Sequence, residues 1–297
     1  MKYMYTDGTF HSVDKNNVST MMQAFNYGLT AFEGMRAFYR SKERNWYLFR
    51  PDRHYARLCR SVRALGNDFP MKEREFVSAI GSLIRKNNQK MDLYIRPLVY
   101  RNALGVGLTK PSGVGVSIFT QSLPHPSTDP LRCCFVSQRR PVDGSYSVKL
   151  SGNYVLSYFS HAEAQRKGFE VGLLLSNDGF LSESSVMNLF FVNHGNLCTP
   201  SLDCGPLDGV TRRSIIELAK VSLSIKVREG TYRPAALLTA DEVFLCGTGS
   251  GIISLARIES RRLKLKRREL LAPQFQALYS AVIAGHRPEF RDWLVPV

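Results

Sequence analysis

No stretch of this 297-residue sequence approaches 18 consecutive apolar residues, so nothing in it reads as a transmembrane helix. The opening Met1-Lys2-Tyr3-Met4-Tyr5-Thr6-Asp7-Gly8 lacks the apolar core of a secretory leader. Six cysteines are present, but none shows metal-ligand spacing: Cys133 and Cys134 are adjacent, and Cys198 and Cys204 have no histidine partner at zinc-finger spacing. The expectation is reduced thiols in a cytoplasm and no metal site. Acids are scarce, 25 against 40 lysines and arginines, for a net charge of +15. Such an excess suits a nucleic-acid or anionic-membrane binder, or an enzyme that handles anionic substrates and cofactors. The densest basic run, Arg261 to Arg268, alternates basic and apolar residues at its centre. It reads as a short edge strand with a solvated face. No nucleic-acid motif accompanies it, so neither nucleic acid nor membrane is expected as a partner.

What is present is a globular composition, 44% hydrophobic, with length enough for two domains. Residues 1–120 read as a smaller α/β domain and residues 132–297 as a larger one. Between them lies a linker, 121–131, containing Pro124, Pro126 and Pro130. In the first part, Pro51-Asp52 opens a helix with Asp52 as its cap. Its apolar stripe is Tyr55, Leu58, Cys59, Val62 and Leu65, with Arg57 at the edge, where a long side chain can reach an anion. Arg53, Arg60 and Arg63 compete for that role. A second helix turns Phe76, Ile80, Leu83 and Ile84 inward. Leu93 to Tyr100 is a strand whose period of two puts Tyr94 and Arg96 on one face. They could bind a carboxylate or pair with Glu33.

In the second part, a helix after Asn153 presents Val155, Tyr158, Phe159 and Ala162 as its buried face. Gly172 to Leu175 is a buried strand, and Asn177-Asp178-Gly179 turns it back through Leu181 to Glu183. A hairpin spans Asn188 to Pro200. Gly209 precedes a helix with Ile215, Leu218 and Ala219 inward, leaving backbone N–H groups for phosphate. Gly247-Thr248-Gly249-Ser250-Gly251 follows a strand as an anion nest.

Lys149 is the one charge in an apolar strand end, and Glu183 follows a tight turn. A lysine in apolar surroundings titrates low enough to attack a carbonyl and form a Schiff base. An acid that keeps a pyridine nitrogen protonated makes pyridoxal phosphate (PLP) an electron sink.

Lys149-Leu-Ser-Gly-Asn-Tyr154, then Leu181-Ser-Glu183 and Asn188-Leu-Phe190, resemble the active-site core of the fold-type IV PLP aminotransferases. Tyr27-Gly28, Phe32-Glu33-Gly34 and Arg36, with Tyr94-Ile-Arg96-Pro-Leu98, resemble the branched-chain subgroup most. The resemblance covers about residues 1 to 258. It implies a two-domain α/β (α+β) architecture with the cofactor in the cleft between domains. It assigns the Schiff base to Lys149, the PLP phosphate to Arg57, and the ring oxygen to Tyr154. Glu183 takes the ring nitrogen, and Gly209, Val210, Thr211 and Thr248 take phosphate. Tyr27, Phe32, Gly34, Tyr94 and Arg96 line the substrate site, and Gly249 and Ser250 offer N–H groups to its carboxylate. The loop Gly105-Val106-Gly107-Leu108 would reach a neighbouring subunit, which implies a homodimer.

The implied activity is transamination of an apolar, branched-chain L-amino acid with 2-oxoglutarate. Ser184-Ser185 after Glu183 and a linker without an aromatic depart from the family pattern. They keep alternatives open: a D-amino acid or (R)-amine transaminase, an aminodeoxychorismate lyase-like enzyme, or a specialised biosynthetic enzyme.

Overall fold

The computed structural model describes residues 1–15, 17–108, 111–123, 129–144, 146–265 and 270–297. Pro124 and Pro126 of the expected linker lie outside the described residues. The chain divides into two compact units: Met1–His125 with Val148–Asn153 and Val282–Val297, and Pro126–Ser147 with Tyr154–Ala281. The partition therefore differs from a cut near residue 120. The Lys149 segment and the C-terminus pack with the first unit, because Val148–Asn153 hydrogen-bonds there and Leu294–Pro296 pairs antiparallel with Asn45–Phe49. Sequence-local patterns carry no signal for such returns.

Among the described residues, the first unit holds an eight-stranded sheet. Its order is Leu294–Pro296, Asn45–Phe49, Met35–Arg40, Leu93–Arg101, Val114–Ser122, Tyr3–Thr6 and Thr9–Ser12, with Thr30–Phe32 beside Leu93–Arg101. Two helices, Pro51–Ala64 and Glu73–Asn87, cover one face. Strand alternation decides what they cover: Leu93, Ile95 and Val99 pack with Leu58, Val62, Phe76, Ile80, Leu83 and Ile84, all buried. Tyr94 and Arg96 consequently project from the other face. Each such apolar side chain contributes about 1.5–3 kcal/mol on burial.

The cap of Pro51–Ala64 is Arg50, in the left-handed region at φ 47°, with Pro51 presetting the first turn. Asp52 is an exposed first-turn residue, which corrects its expected capping role. Glu73–Asn87 opens with Glu75 accepting from the Lys72 N–H at 2.8 Å and ends on left-handed Asn88.

In the second unit, six strands close a ring: Leu131–Arg140, Gly251–Ile258, Glu242–Gly247, Asn188–Asn193, Leu181–Ser184 and Val171–Ser176. Leu181–Ser184 and Asn188–Asn193 join at one registered pair, Glu183 opposite Asn188. Leu131–Arg140 and Val171–Ser176 run parallel and so need a crossover, supplied by helix Tyr154–Arg166.

That helix is turned the opposite way from its apolar stripe. Val155, Tyr158 and Phe159 are more than half exposed, whereas Ser160, Glu163 and Ala164 are buried. The polar residues go inward because each is satisfied. Glu163 accepts from the Ser137 backbone N–H and hydroxyl and pairs with Lys167 at 2.7 Å. Ser160 Oγ donates to the Leu156 carbonyl at 2.7 Å. Arg261–Arg262 is a two-residue edge strand beside Gly251–Ile258, and residues 266–268 of the basic run lie outside the described residues. No described helix is long and apolar enough to cross a membrane.

Candidate active site

The Lys149 main chain is fastened to the first unit at several points. Its N–H donates to Ser61 Oγ at 3.0 Å, its carbonyl accepts from the Phe32 N–H at 3.1 Å, and Leu150 bridges to Ala31. Lys149 itself lies just outside any strand. The Gly152 N–H donates to the Gly28 carbonyl at 3.2 Å. Gly28 adopts φ 67°, and a Cβ there would come 3.0 Å from the Gly152 Cα, so only glycine permits this seat. The Lys149 side chain is buried, with Nζ 4.7 Å from the centre of the Phe32 ring.

Phe32, itself buried, carries a second cation: the Arg96 guanidinium lies 4.5 Å from the ring centre. Arg96 Nη2 donates to the Tyr94 hydroxyl at 2.7 Å. Burial pushes the Tyr94 phenol up, against the pull of Arg96, so it stays a neutral hydroxyl. Arg96 forms no ion pair among the described residues, and its Nε has no hydrogen-bond partner there. Gly34 sits beneath this pair; a Cβ there would fall 2.0 Å from the Tyr94 hydroxyl.

Glu33 goes elsewhere than to Arg96. It accepts from Arg57 Nε at 2.6 Å and Arg57 Nη2 at 2.7 Å, and from His54 Nδ1 at 2.7 Å. All three groups are buried. Burial alone would raise the Glu33 carboxyl; the Arg57 charge and hydrogen bonds, with those of His54, override it and hold the carboxyl well below its usual range. Burial pushes the His54 imidazole down, only partly offset by Glu33. Arg57 is the inward-facing arginine of its helix, since Arg53, Arg60 and Arg63 are exposed. A guanidinium has five donors, so a grip on Glu33 is compatible with holding a phosphate as well. Tyr27 anchors the loop that follows Leu104: its hydroxyl accepts from the Gly107 N–H at 3.0 Å.

In the second unit Glu183 is buried at the ring closure. Its Oε2 accepts from Asn188 Nδ2 at 3.3 Å and the Leu207 N–H at 3.0 Å, and its Oε1 lies 3.1 Å from Arg140 Nε. The next residues make a tight turn: Ser184 Oγ accepts from the Met187 N–H at 3.0 Å, and the Ser185 N–H donates to the Gly172 carbonyl. Ser184 and Ser185 therefore serve the turn. Gly209 begins helix Val210–Ser222 with extended backbone and no side-chain cap, which leaves its first-turn N–H groups able to meet an anion. A Cβ on Gly209 would fall 2.1 Å from Asn188 Oδ1. Val210 and Thr211 are buried in that first turn. Thr248, Gly249 and Ser250 form the half-buried turn between Glu242–Gly247 and Gly251–Ile258. A Cβ on Gly249 would meet nothing within 4 Å. Tyr154, half-buried, is the first residue of its helix.

The family profile described as Amino-transferase class IV matches residues 30–258. The chain is a class IV aminotransferase. The branched-chain-amino-acid aminotransferase of Salmonella typhimurium is 30% identical to it, over 99% of this chain and 97% of that protein. The structure of the branched-chain aminotransferase of Thermoproteus uzoniensis with norvaline superposes with a TM-score of 0.92 at 30% identity, covering 99% of this chain and 98% of that one. The branched-chain amino acid aminotransferase of Thermobaculum terrenum, solved in its PLP form, also gives 0.92, at 26% identity, covering 99% and 98%.

As an aminotransferase of this class the chain uses PLP, and its donors suit that group. They comprise a buried amine, a buried guanidinium, an uncapped helix start, and a buried carboxylate that already accepts two N–H groups. Three residues around these groups were not singled out in the sequence as site residues. Ser61 lies four residues beyond Arg57, on the inward face of the same helix, and that periodicity could have flagged it. His54 lies three before Arg57 on the same face. Arg140 stands nine residues before Lys149, where no local pattern marks it.

Proposed function

We propose that this aminotransferase moves the amino group of an apolar, branched-chain L-amino acid to 2-oxoglutarate. The supporting observation is Arg96, spread on the buried Phe32 ring and without an acidic partner among the described residues. One apolar wall and one uncompensated cation suit both substrates in turn: a hydrocarbon side chain, or the distal carboxylate of the acceptor.

Bound PLP supplies an electron sink for the charge that builds at the substrate Cα. Lys149 would anchor the cofactor, and its Nζ would take the proton from the substrate Cα. Glu183 would hold the proton on the ring nitrogen, and Tyr154 would hydrogen-bond the ring oxygen. Arg57, the Gly209-Val210-Thr211 helix start and Thr248 would hold the phosphate. Gly249 and Ser250 would offer backbone N–H groups to the substrate carboxylate, and Tyr27, Phe32, Gly34 and Tyr94 would line the side-chain wall.

The expected working state is a homodimer. Met21, Phe25, Leu104, Val106 and Leu108 are all more than half exposed, and backbone bonds from Gln23 and Gly105 tie their two segments together. Such a patch suits a second copy of the chain; sedimentation at twice the chain mass would agree, and a monomer would not.

Single-turnover absorbance with L-leucine, D-alanine and an aromatic amine tests the donor. Conversion by L-leucine alone is expected; turnover of D-alanine or the amine alone would replace this reading. Gly34→Ala is expected to displace the Tyr94 hydroxyl from Arg96. Loss of that charged hydrogen bond should raise KM for 2-oxoglutarate about tenfold, with kcat little changed. An unchanged KM would remove Tyr94 and Arg96 from the substrate site.

A further inference from the structure

We infer that Arg140 is a positioning residue that sets where the proton shared by Glu183 and the cofactor ring nitrogen resides. Arg140 touches no reacting atom; it acts through Glu183, and the inference rests on the PLP reading above.

Glu183 is the residue at which the six-strand ring closes, and it is about nine-tenths buried. Burying a carboxylate is costly, because low-dielectric surroundings penalise its charge. A neutral Glu183 would leave the ring nitrogen without a proton. The hydrogen bonds from Asn188 and the Leu207 N–H both reach Oε2. Arg140 faces the other oxygen, its Nε 3.1 Å from Oε1, and is equally buried.

The Arg140 guanidinium is itself immobilised. Nε–H donates to the Gly205 carbonyl at 3.0 Å, and Nη2 donates to the Tyr146 carbonyl at 3.3 Å. Gly205 takes φ 83°, and a Cβ there would fall 2.7 Å from the Pro141 carbonyl oxygen. A glycine turn is thus packed against the arginine and fixes its distance from Glu183. The Nε–H points to Gly205, so the contact with Glu183 is one of charge more than of a directed bond. A positive charge there lowers the basicity of Glu183, and the shared proton stays on the ring nitrogen.

The test uses full-length apoprotein and ring-15N-labelled PLP. Wild type, Arg140→Lys, Arg140→Met, Glu183→Gln and the Arg140→Met/Glu183→Gln double variant are titrated with PLP. The loaded proteins are then compared by 15N NMR of the ring nitrogen. Arg140→Met is expected to weaken PLP binding about tenfold or more and to move the ring nitrogen signal toward the unprotonated position. Arg140→Lys keeps the charge and is expected to keep the protonated signal. In the Glu183→Gln background, Arg140→Met should change affinity by less than about threefold, since the interaction partner is already gone.

Equal losses with and without Glu183, or an unmoved ring signal in Arg140→Met, would overturn the inference and leave Arg140 as a brace for the Gly205 turn. Should Arg140→Met fail to fold, a Lys variant with the unprotonated signal would overturn it as well. Wild-type protein that takes up no PLP would instead defeat the cofactor reading, which keeps the two failures distinguishable.

Discussion

Lys149→Ala is expected to lower turnover of L-leucine with 2-oxoglutarate by at least about 10⁴-fold, the loss of both a covalent anchor and a positioned proton carrier. The fold should survive, because the attachments of this segment are made by the main chain: Lys149 N–H to Ser61, its carbonyl to Phe32, and Gly152 to Gly28. The variant should therefore unfold within a few degrees of wild type and still bind PLP through groups that remain, Arg57 and Glu183 among them. That separation of stability from rate is the informative part. A variant that is inactive only because it is unfolded says nothing about the amine. A folded variant with a rate near wild type would show that the amine is not the catalyst.

Glu33→Ala is expected to be the most destabilising single change near the site. It removes the shared acceptor of Arg57 and His54, both buried. Breaking a buried pair from one side leaves an uncompensated charge and costs about 3–5 kcal/mol, a fall of about 10 °C or more in the unfolding midpoint. Circular dichroism melts at neutral pH check this, and a midpoint within about 2 °C of wild type would mean the network carries little energy.

The same network gives a pH dependence whose sign is fixed. His54 has its folded value below the ordinary 6.5, chiefly from burial, with the charges of Arg57 and Lys149 adding to it. As pH falls through 6.5 the unfolded imidazole takes a proton that the folded one refuses, so stability declines. Glu33 is held below its ordinary 4.5; its stabilisation is complete above that value and is lost as pH falls below it. The two effects run the same way, histidine first and glutamate second. His54→Gln should flatten the upper window and leave the lower one.

The sequence exposed most of the local structure around the site and little of its assembly. The stripe Phe76, Ile80, Leu83 and Ile84 and the alternation of Leu93 to Arg101 are repeated signals, each supported by several residues of one kind. Helix Tyr154–Arg166 misled because its inward face is polar and satisfied by Ser137 and Lys167, partners 17 residues upstream of the helix start and one residue past its end. Apolar periodicity alone then selected the exposed side, Val155, Tyr158 and Phe159. Arg50 as a left-handed cap was hidden because arginine rarely takes that role. The ion pairs Glu33–Arg57 and Arg140–Glu183 join residues more than 20 positions apart, and only the folded chain pairs them. Arg57 itself was found by resemblance, and the fold explains the choice: of the four candidate arginines it is the one on the inward face.

The most direct measurement is reduction of the PLP-loaded wild-type protein with borohydride, followed by proteolysis and mass spectrometry of the peptides. A phosphopyridoxyl group is expected on the peptide containing Lys149 and on no other, and it should be lost when L-leucine is added before the reductant. Label on a different lysine, or a protein that binds PLP and yields no labelled peptide, would contradict the assignment of the Schiff base to Lys149.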